Sequence, residues 1–143
     1  MKFLFAIEKF LVRNFGISLI SWIVCRQAGV KPVTTFLMTT TGRKSGRKFD
    51  TPIFYFPYRD GFYVIGSKGG APQHPVWFLN LEASPEASVR VKGKVYKVRA
   101  RVAEDPERAA LWDMATIAYP PYNDYQKRAG ARKIPVVVLE KVA

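Results

Sequence analysis

Cysteine, histidine and acid are the scarce residues of this 143-residue chain. One cysteine, Cys25, and one histidine, His74, exclude an internal disulfide and any Cys/His metal cluster. A lone cysteine also suits a reducing, cytoplasmic compartment. The 11 Asp and Glu are scattered, which leaves paired-carboxylate chemistry without support. No serine or cysteine nucleophile pairs with His74 in a known motif, so a general-base role has little to rest on. The uncharged run from Asn14 to Cys25 is about half the length, roughly 20 residues, of a membrane span. Charges interrupt the N-terminal apolar region, and no small-x-small site follows it, so it makes a poor signal peptide. There is no linker, low-complexity tract or internal repeat.

What is present is positive charge on a folded composition. The chain is 48% hydrophobic and 14% aromatic, with 23 Lys and Arg and a net charge of +12. Length and composition point to one globular domain able to bury a core. The charge favours an anionic partner: nucleic acid, an acidic membrane face or a phosphorylated cofactor.

Residues 1–30 are expected to form an N-terminal amphipathic helix. Phe3, Ile7, Phe10, Leu11, Ile17 and Trp22 recur at roughly helical spacing. Two placements stay open. The helix packs on the domain, or it lies in a membrane interface with Lys2, Lys9, Arg13 and Arg26 at the headgroups. Residues 31–143 are expected to be mainly β (α+β). Val33–Thr41, Thr51–Phe56, Phe62–Gly66, Ala87–Val91, Val95–Val102 and Ile134–Leu139 read as about six strands. Asp60-Gly61 and Lys92-Gly93 mark hairpins. A short helix is expected over Trp77–Ala83 and a longer one after Asp105-Pro106. Tyr119–Gln126 is expected to interrupt the latter, before a short helix running to Arg128. Hairpin order without βαβ alternation favours a small antiparallel barrel.

Three features could carry chemistry. Gly42-Arg43-Lys44-Ser45-Gly46-Arg47 is neither a Walker A loop nor a dinucleotide fingerprint. Its glycines nevertheless let backbone amides approach an anion, Ser45 can donate, and three cations supply charge. A solvated basic loop would look the same. Ser67-Lys68-Gly69-Gly70 follows a strand as a second anion cradle, with Pro75 and Trp77 beside it to pack on a flat ring. Trp77 and Phe78 are equally suited to a core at a helix start. Tyr119, Tyr122 and Tyr125 recur every three residues. They suit either the wall of a pocket for a flat, quinone-like molecule or an aromatic packing face.

Taken in order, these motifs resemble the deazaflavin-dependent nitroreductase family of the flavin/deazaflavin oxidoreductase superfamily. The resemblance is carried by Thr39–Gly46, Thr51-Pro52, Ser67–Gly70, His74–Leu81, Tyr119–Gln126 and Ile134–Leu139, across roughly residues 33–140. It implies a split β-barrel and coenzyme F420, an 8-hydroxy-5-deazaflavin, in preference to FMN. It also implies hydride transfer to a quinone-like or nitroaromatic acceptor. By the same resemblance Arg43, Lys44 and Lys68 would hold the cofactor phosphate, and Ser45, Gly46 and Gly69 would shape the loops. Pro52, Ser67, Pro75, Val76 and Trp77 would line the deazaflavin. Phe54, Tyr119, Tyr122 and Tyr125 would wall the acceptor pocket, with Ser67 and Tyr122 orienting or protonating the acceptor. Phe54 stands where the nitroreductase-active member has a tyrosine, which bears on nitroaromatics more than on the cofactor. The implied location is cytoplasmic, at the inner face of the membrane if residues 2–25 touch it. A lipid or fatty-acid binder, or a binder of another cofactor, on the same barrel is the alternative. A nucleic-acid module is disfavoured, because the cations sit in glycine loops rather than along one helix.

Overall fold

The computed structural model describes residues 2–15 and 18–142, and the side chains of 5–14 and 18–142 among them. Two helices open the chain, α1 (Lys2–Phe15) and α2 (Leu19–Gln27). Then follow β1 (Thr35–Thr41), β2 (Lys48–Phe54), β3 (Phe56–Tyr58), β4 (Gly61–Ile65) and one 3-10 turn, Lys68–Gly70. The rest are α3 (Val76–Ala83), β5 (Glu86–Val91), β6 (Lys94–Val102), α4 (Glu107–Ala118), α5 (Pro121–Ala129) and β7 (Val136–Lys141).

The seven strands form one antiparallel sheet in the order β2-β1-β5-β6-β7-β4-β3. Its two edge strands, β2 and β3, are consecutive in the chain, with only Tyr55 between them. One residue spans a few ångströms, so the edges must meet and the sheet must curl into a half-barrel. Tyr55 makes the junction. Its amide donates to Thr34 O at 3.1 Å, and its ring stacks on Phe36 at 4.5 Å.

Curling separates two apolar faces. Phe36, Met38, Phe62, Val64, Val89, Val98, Val137 and Leu139 point into the barrel, where α3 plugs them with Trp77, Phe78 and Leu81. Tyr63, Ile65, Val136 and Val138 point outward, beneath Leu111, Ala115, Tyr119, Tyr122 and Ala129 of the α4–α5 region. With both faces covered, β7 carries a continuous apolar run, whereas exposed β6 alternates with cations.

The expected single N-terminal helix is two. Ser18 caps α2 by accepting from the Ser21 amide at 2.9 Å. Glu8, 3% exposed, reaches across from α1 and accepts from Ser18 Oγ and from the Leu19 amide at 3.0 Å. A carboxylate is stabilised at a helix N-terminus by the free amides and the macrodipole, so Glu8 closes the α1–α2 hairpin. Ser21 Oγ meets Thr35 Oγ1 at 3.0 Å, and Val12 and Cys25 are fully buried, which docks the hairpin on the barrel. Of the residues in the expected helical pattern, Ile17 and the side chains of Lys2 and Phe3 lie outside the described residues.

Other elements also depart from expectation. Thr51–Phe56 is not one strand but the end of β2, Tyr55 and the start of β3, which brings the strand count to seven. The Tyr-Pro-Pro stretch does not interrupt a helix for long. Pro120 and Pro121 fill the start of α5, where a missing amide hydrogen costs nothing, so Tyr122 and Tyr125 are helical.

Glu107 in the first turn of α4 accepts from Arg101 at 2.6 and 3.0 Å and from Tyr58 Oη at 2.7 Å. These bonds, Arg101 first, hold its carboxyl down at about 2 from an ordinary 4.5. A depressed carboxylate contributes stability that is complete above pH 4.5 and is lost as pH falls toward 2. Arg101→Met should therefore destabilise the fold by about 1 kcal/mol at neutral pH, allowing for solvent screening. The gap to wild type should close on acidification through that window, as read by urea denaturation at stepped pH.

Candidate active site

The first basic loop joins β1 to β2 and is closed by its own backbone. The Gly42 amide donates to Arg47 O at 2.7 Å and the Gly46 amide to Gly42 O at 2.9 Å. Ser45 Oγ accepts from the Arg47 amide at 3.2 Å, so its hydroxyl shapes the loop. Arg43, Lys44 and Arg47 are exposed, and none pairs with a carboxylate among the described residues. The ion pairs that do form lie on β5, β6, α4, β7 and their connections. Asn80 of α3, 1% exposed, fixes the loop's root. Its Oδ1 accepts from the Arg43 amide at 3.1 Å and its Nδ2 donates to Thr40 Oγ1 at 3.2 Å.

The second loop leads from β4 into α3. Ser67 is right-handed, and Lys68, Gly69 and Gly70 have φ of 46°, 61° and 82°. Gly70 is the position where glycine is required. A Cβ there would lie 2.6 Å from Tyr125 O and 2.8 Å from Arg128 Cβ, because the turn packs on α5. Lys68 is exposed and unpaired among the described residues. Arg132, from the α5–β7 connection, donates to Ser67 O, Ala71 O and Gly66 O at 2.7, 2.9 and 3.0 Å. It also donates to His74 Nδ1 at 3.0 Å, which makes His74 a neutral Nε2–H tautomer. Burial first, and the Arg132 charge second, hold the imidazole below its usual pKa. His74 is therefore a structural acceptor.

Both loops attach to α3, one entering it through Pro75 and the other hydrogen-bonded to Asn80. The Val76 and Trp77 amides have no partner among the described residues, and the Val76 side chain is 54% exposed. Trp77 departs from the expected ring-side wall. Its side chain is 8% exposed and belongs to the barrel core, beside Phe78. Pro52 lies on β2, an edge strand, where its missing amide breaks no ladder bond.

The four aromatic residues expected to wall a pocket do meet. Phe54 packs edge-on to Tyr119 at 5.2 Å, Tyr119 to Tyr122 at 5.0 Å, and Tyr122 lies 6.2 Å from Tyr125. Tyr119 and Tyr125 share a hydrogen bond at 2.9 Å. Tyr119 and Tyr122 are buried, however, and only Tyr125 and Phe54 are half-exposed. Burial pushes the phenols of Tyr119 and Tyr122 well up. They remain protonated donors at neutral pH rather than ionising acids. A cleft of about 510 Å³ is lined by Tyr55, Phe56, Pro57, Ile117 and Ala118 and by no member of this cluster. A second, of about 460 Å³, adjoins it at Pro32, Val33 and Thr34 and reaches Leu19 and Trp22.

The arrangement suits a phosphate-bearing ligand: four cations on two loops that are unpaired among the described residues, and free amides at the start of α3. Sequence reasoning missed Asn80 and Arg132. Asn80 had a signal, as the polar residue inside Trp77-Phe78-Leu79-Asn80-Leu81 that burial would oblige to find partners. Arg132 had none; it is one more cation in a basic segment.

A family model described as F420H(2)-dependent quinone reductase matches residues 23–141. The F420H(2)-dependent quinone reductase Rv1261c of Mycobacterium tuberculosis is 36% identical over 110 residues, which cover 75% of this chain and 73% of that protein. A solved F420-H2 dependent reductase, FDR-A, matches with TM-score 0.68 at 41% identity, over 74% of this chain and 93% of its own. A heme binding protein from Mycobacterium smegmatis shares the fold alone, with TM-score 0.56 at 15% identity over 75% of this chain and 46% of its own.

Asn80→Ala strands the Arg43 amide and Thr40 Oγ1, and should cost about 1–3 kcal/mol in urea denaturation. Asn80→Asp keeps the acceptor for the Arg43 amide and should recover part of that loss.

Proposed function

The chain belongs to the F420H2-dependent quinone reductase family, and we propose that it reduces a quinone-like acceptor with F420H2 held at the two basic loops. The observation that carries this is the set of unpaired cations. Arg43, Lys44, Arg47 and Lys68 sit on two loops tied to one short helix, with no carboxylate pairing with them among the described residues. Like charges held together in this way repel unless an anion joins them.

Arg43, Lys44 and Lys68 hold the phosphate in this reading, with Ser45, Gly46 and Gly69 keeping the loops in shape. Pro52, Ser67, Pro75 and Val76 border the ring, and Trp77 supports it from the core side with its amide free. When bound, the reduced deazaflavin supplies the hydride. The chain's part is to exclude water and direct a donor at the acceptor. Ser67 orients the acceptor oxygen, and Tyr122 backs the acceptor wall from within, its phenol kept protonated because burial disfavours the phenolate. Phe54, Tyr119 and Tyr125 give the acceptor an aromatic wall. Phe54 brings no hydroxyl, which favours quinones over nitroaromatics as acceptors.

Residues 31–143 carry the cofactor loops, and residues 1–30 bring the site to a membrane surface. No described helix is long and apolar enough to cross a membrane. The α1–α2 hairpin does expose Phe5, Phe10, Leu19, Ile20, Trp22 and Ile23, each 45% or more, with Lys9, Arg13 and Arg26 among them. Apolar anchors ringed by cations suit an anionic headgroup region. The adjoining clefts extend from Trp22 to Phe56, an apolar path toward the tyrosines.

Fluorescence titration should show the wild type binding F420, and Lys68→Ala binding it at least about tenfold more weakly, as for a lost charge-assisted hydrogen bond. Absence of wild-type binding would overturn the reductase reading, and an acyl chain found on the purified protein would favour a lipid carrier. Phe10→Glu/Trp22→Glu should abolish co-sedimentation with anionic vesicles and leave F420 affinity unchanged.

A further inference from the structure

We propose that Arg132 is a positioning residue for the phosphate subsite, acting through the backbone of residues 66–71 rather than by touching the ligand. This rests on the reading that Lys68 holds the phosphate. Arg132 lies more than 60 residues away in sequence, yet it grips both ends of the Lys68 turn. Its Nε donates to Ala71 O at 2.9 Å, after the turn. Its terminal nitrogens donate to Gly66 O at 3.0 Å and Ser67 O at 2.7 Å, before it. The planar five-donor fork of a guanidinium can satisfy several carbonyls at once, which an ammonium cannot do in one plane.

This grip has two consequences for a ligand. In a trans peptide the N–H points opposite to the C=O. Drawing the Gly66 and Ser67 carbonyls toward Arg132 therefore turns the Ser67 and Lys68 amides the other way. Neither amide has a partner among the described residues. Right-handed Ser67 followed by left-handed Lys68 is the backbone combination that converges successive amides on an anion. The second consequence concerns Lys68 itself. Its φ of 46° is disfavoured for a residue with a side chain, so the turn needs external bonds to stay in this form. Arg132 supplies them, His74 Nδ1 accepts from the same terminal nitrogen that holds Gly66 O, and the turn's closure onto α5 through Gly70 completes the clamp. Arg132 has no carboxylate partner among the described residues, so its charge also adds to the field under the loop.

The test uses the full chain with Arg132→Met and Arg132→Lys. In the cofactor-free protein, amide hydrogen exchange is read at Gly70 and Ala71, which donate to Ser67 O and Lys68 O, and at Val64 and Val137 in the barrel strands. Arg132→Met should speed exchange at Gly70 and Ala71 by about tenfold or more and leave the strands unchanged. F420 binding should weaken about tenfold, but by less than about threefold when Lys68→Ala is already present, since the two act as one unit. Arg132→Lys, which keeps the charge and guards against a Met variant that fails to fold, should restore neither property. Unchanged exchange at Gly70 and Ala71, equal losses in both backgrounds, or full rescue by lysine would each overturn the proposal. If the wild type bound no F420, the phosphate reading would fall, while the exchange pattern would still decide whether Arg132 holds the turn.

Discussion

One residue stands between the two edges of the sheet, and most of the molecule follows from it. Because β2 and β3 are joined through Tyr55, seven strands cannot lie flat. The curl creates an interior that α3 must plug and an exterior that α4 and α5 must cover. Both coverings bear on the site. The helix that plugs the barrel receives the two basic loops, and the helices that cover it carry the tyrosines. The 3-10 turn at Lys68 is the meeting point, since it leads toward α3 and packs on α5.

The loops are held by few contacts, and the important ones are polar and partly or wholly buried. Asn80 joins β1, the first loop and α3 with one amide group. Arg132 joins β4's end, the second loop and His74 with one guanidinium. Such groups are costly to bury unless every donor is used. Their satisfaction therefore ties loop shape to the folded state of the barrel. The cations of the loops have no carboxylate partner among the described residues, and the proposed role for them is to hold an anion. The same division recurs at the N-terminus. Glu8, Ser18 and Ser21 are spent on closing and docking the hairpin, while its large apolar side chains face outward.

Much of this was legible in the sequence, and the failures have physical causes. The half-buried strand β6 announced itself by alternation, and β7 by an unbroken apolar run. The positions of the two basic glycine loops were recognisable because each follows a strand and contains glycines that turn the chain, and the tyrosine row because its spacing brings the rings together. The break at Tyr55 was not legible. Thr-Pro-Ile-Phe-Tyr-Phe is uniformly strand-like, and only the closing of the sheet divides it. The hairpin of α1 and α2 was hidden because its stop is made by Glu8, ten residues before the Ser18 it holds. Trp77 had two good uses, ring wall or core, and local spacing cannot choose between them; the barrel needed a plug. Arg132 was invisible because its role is fixed by carbonyls 61 to 66 residues away.

In the proposed function, a basic two-loop clamp and a buried tyrosine cluster together serve reduction of a quinone by F420H2. Its most direct test is an anaerobic single turnover. Excess protein is mixed with F420H2 and a short-chain menaquinone analogue, and recovery of the oxidised deazaflavin absorbance is followed in time. A first-order trace is expected, with a rate that saturates with quinone and far exceeds the protein-free reaction. A protein that binds F420H2 and yet leaves it to oxidise at the protein-free rate would contradict the proposed function.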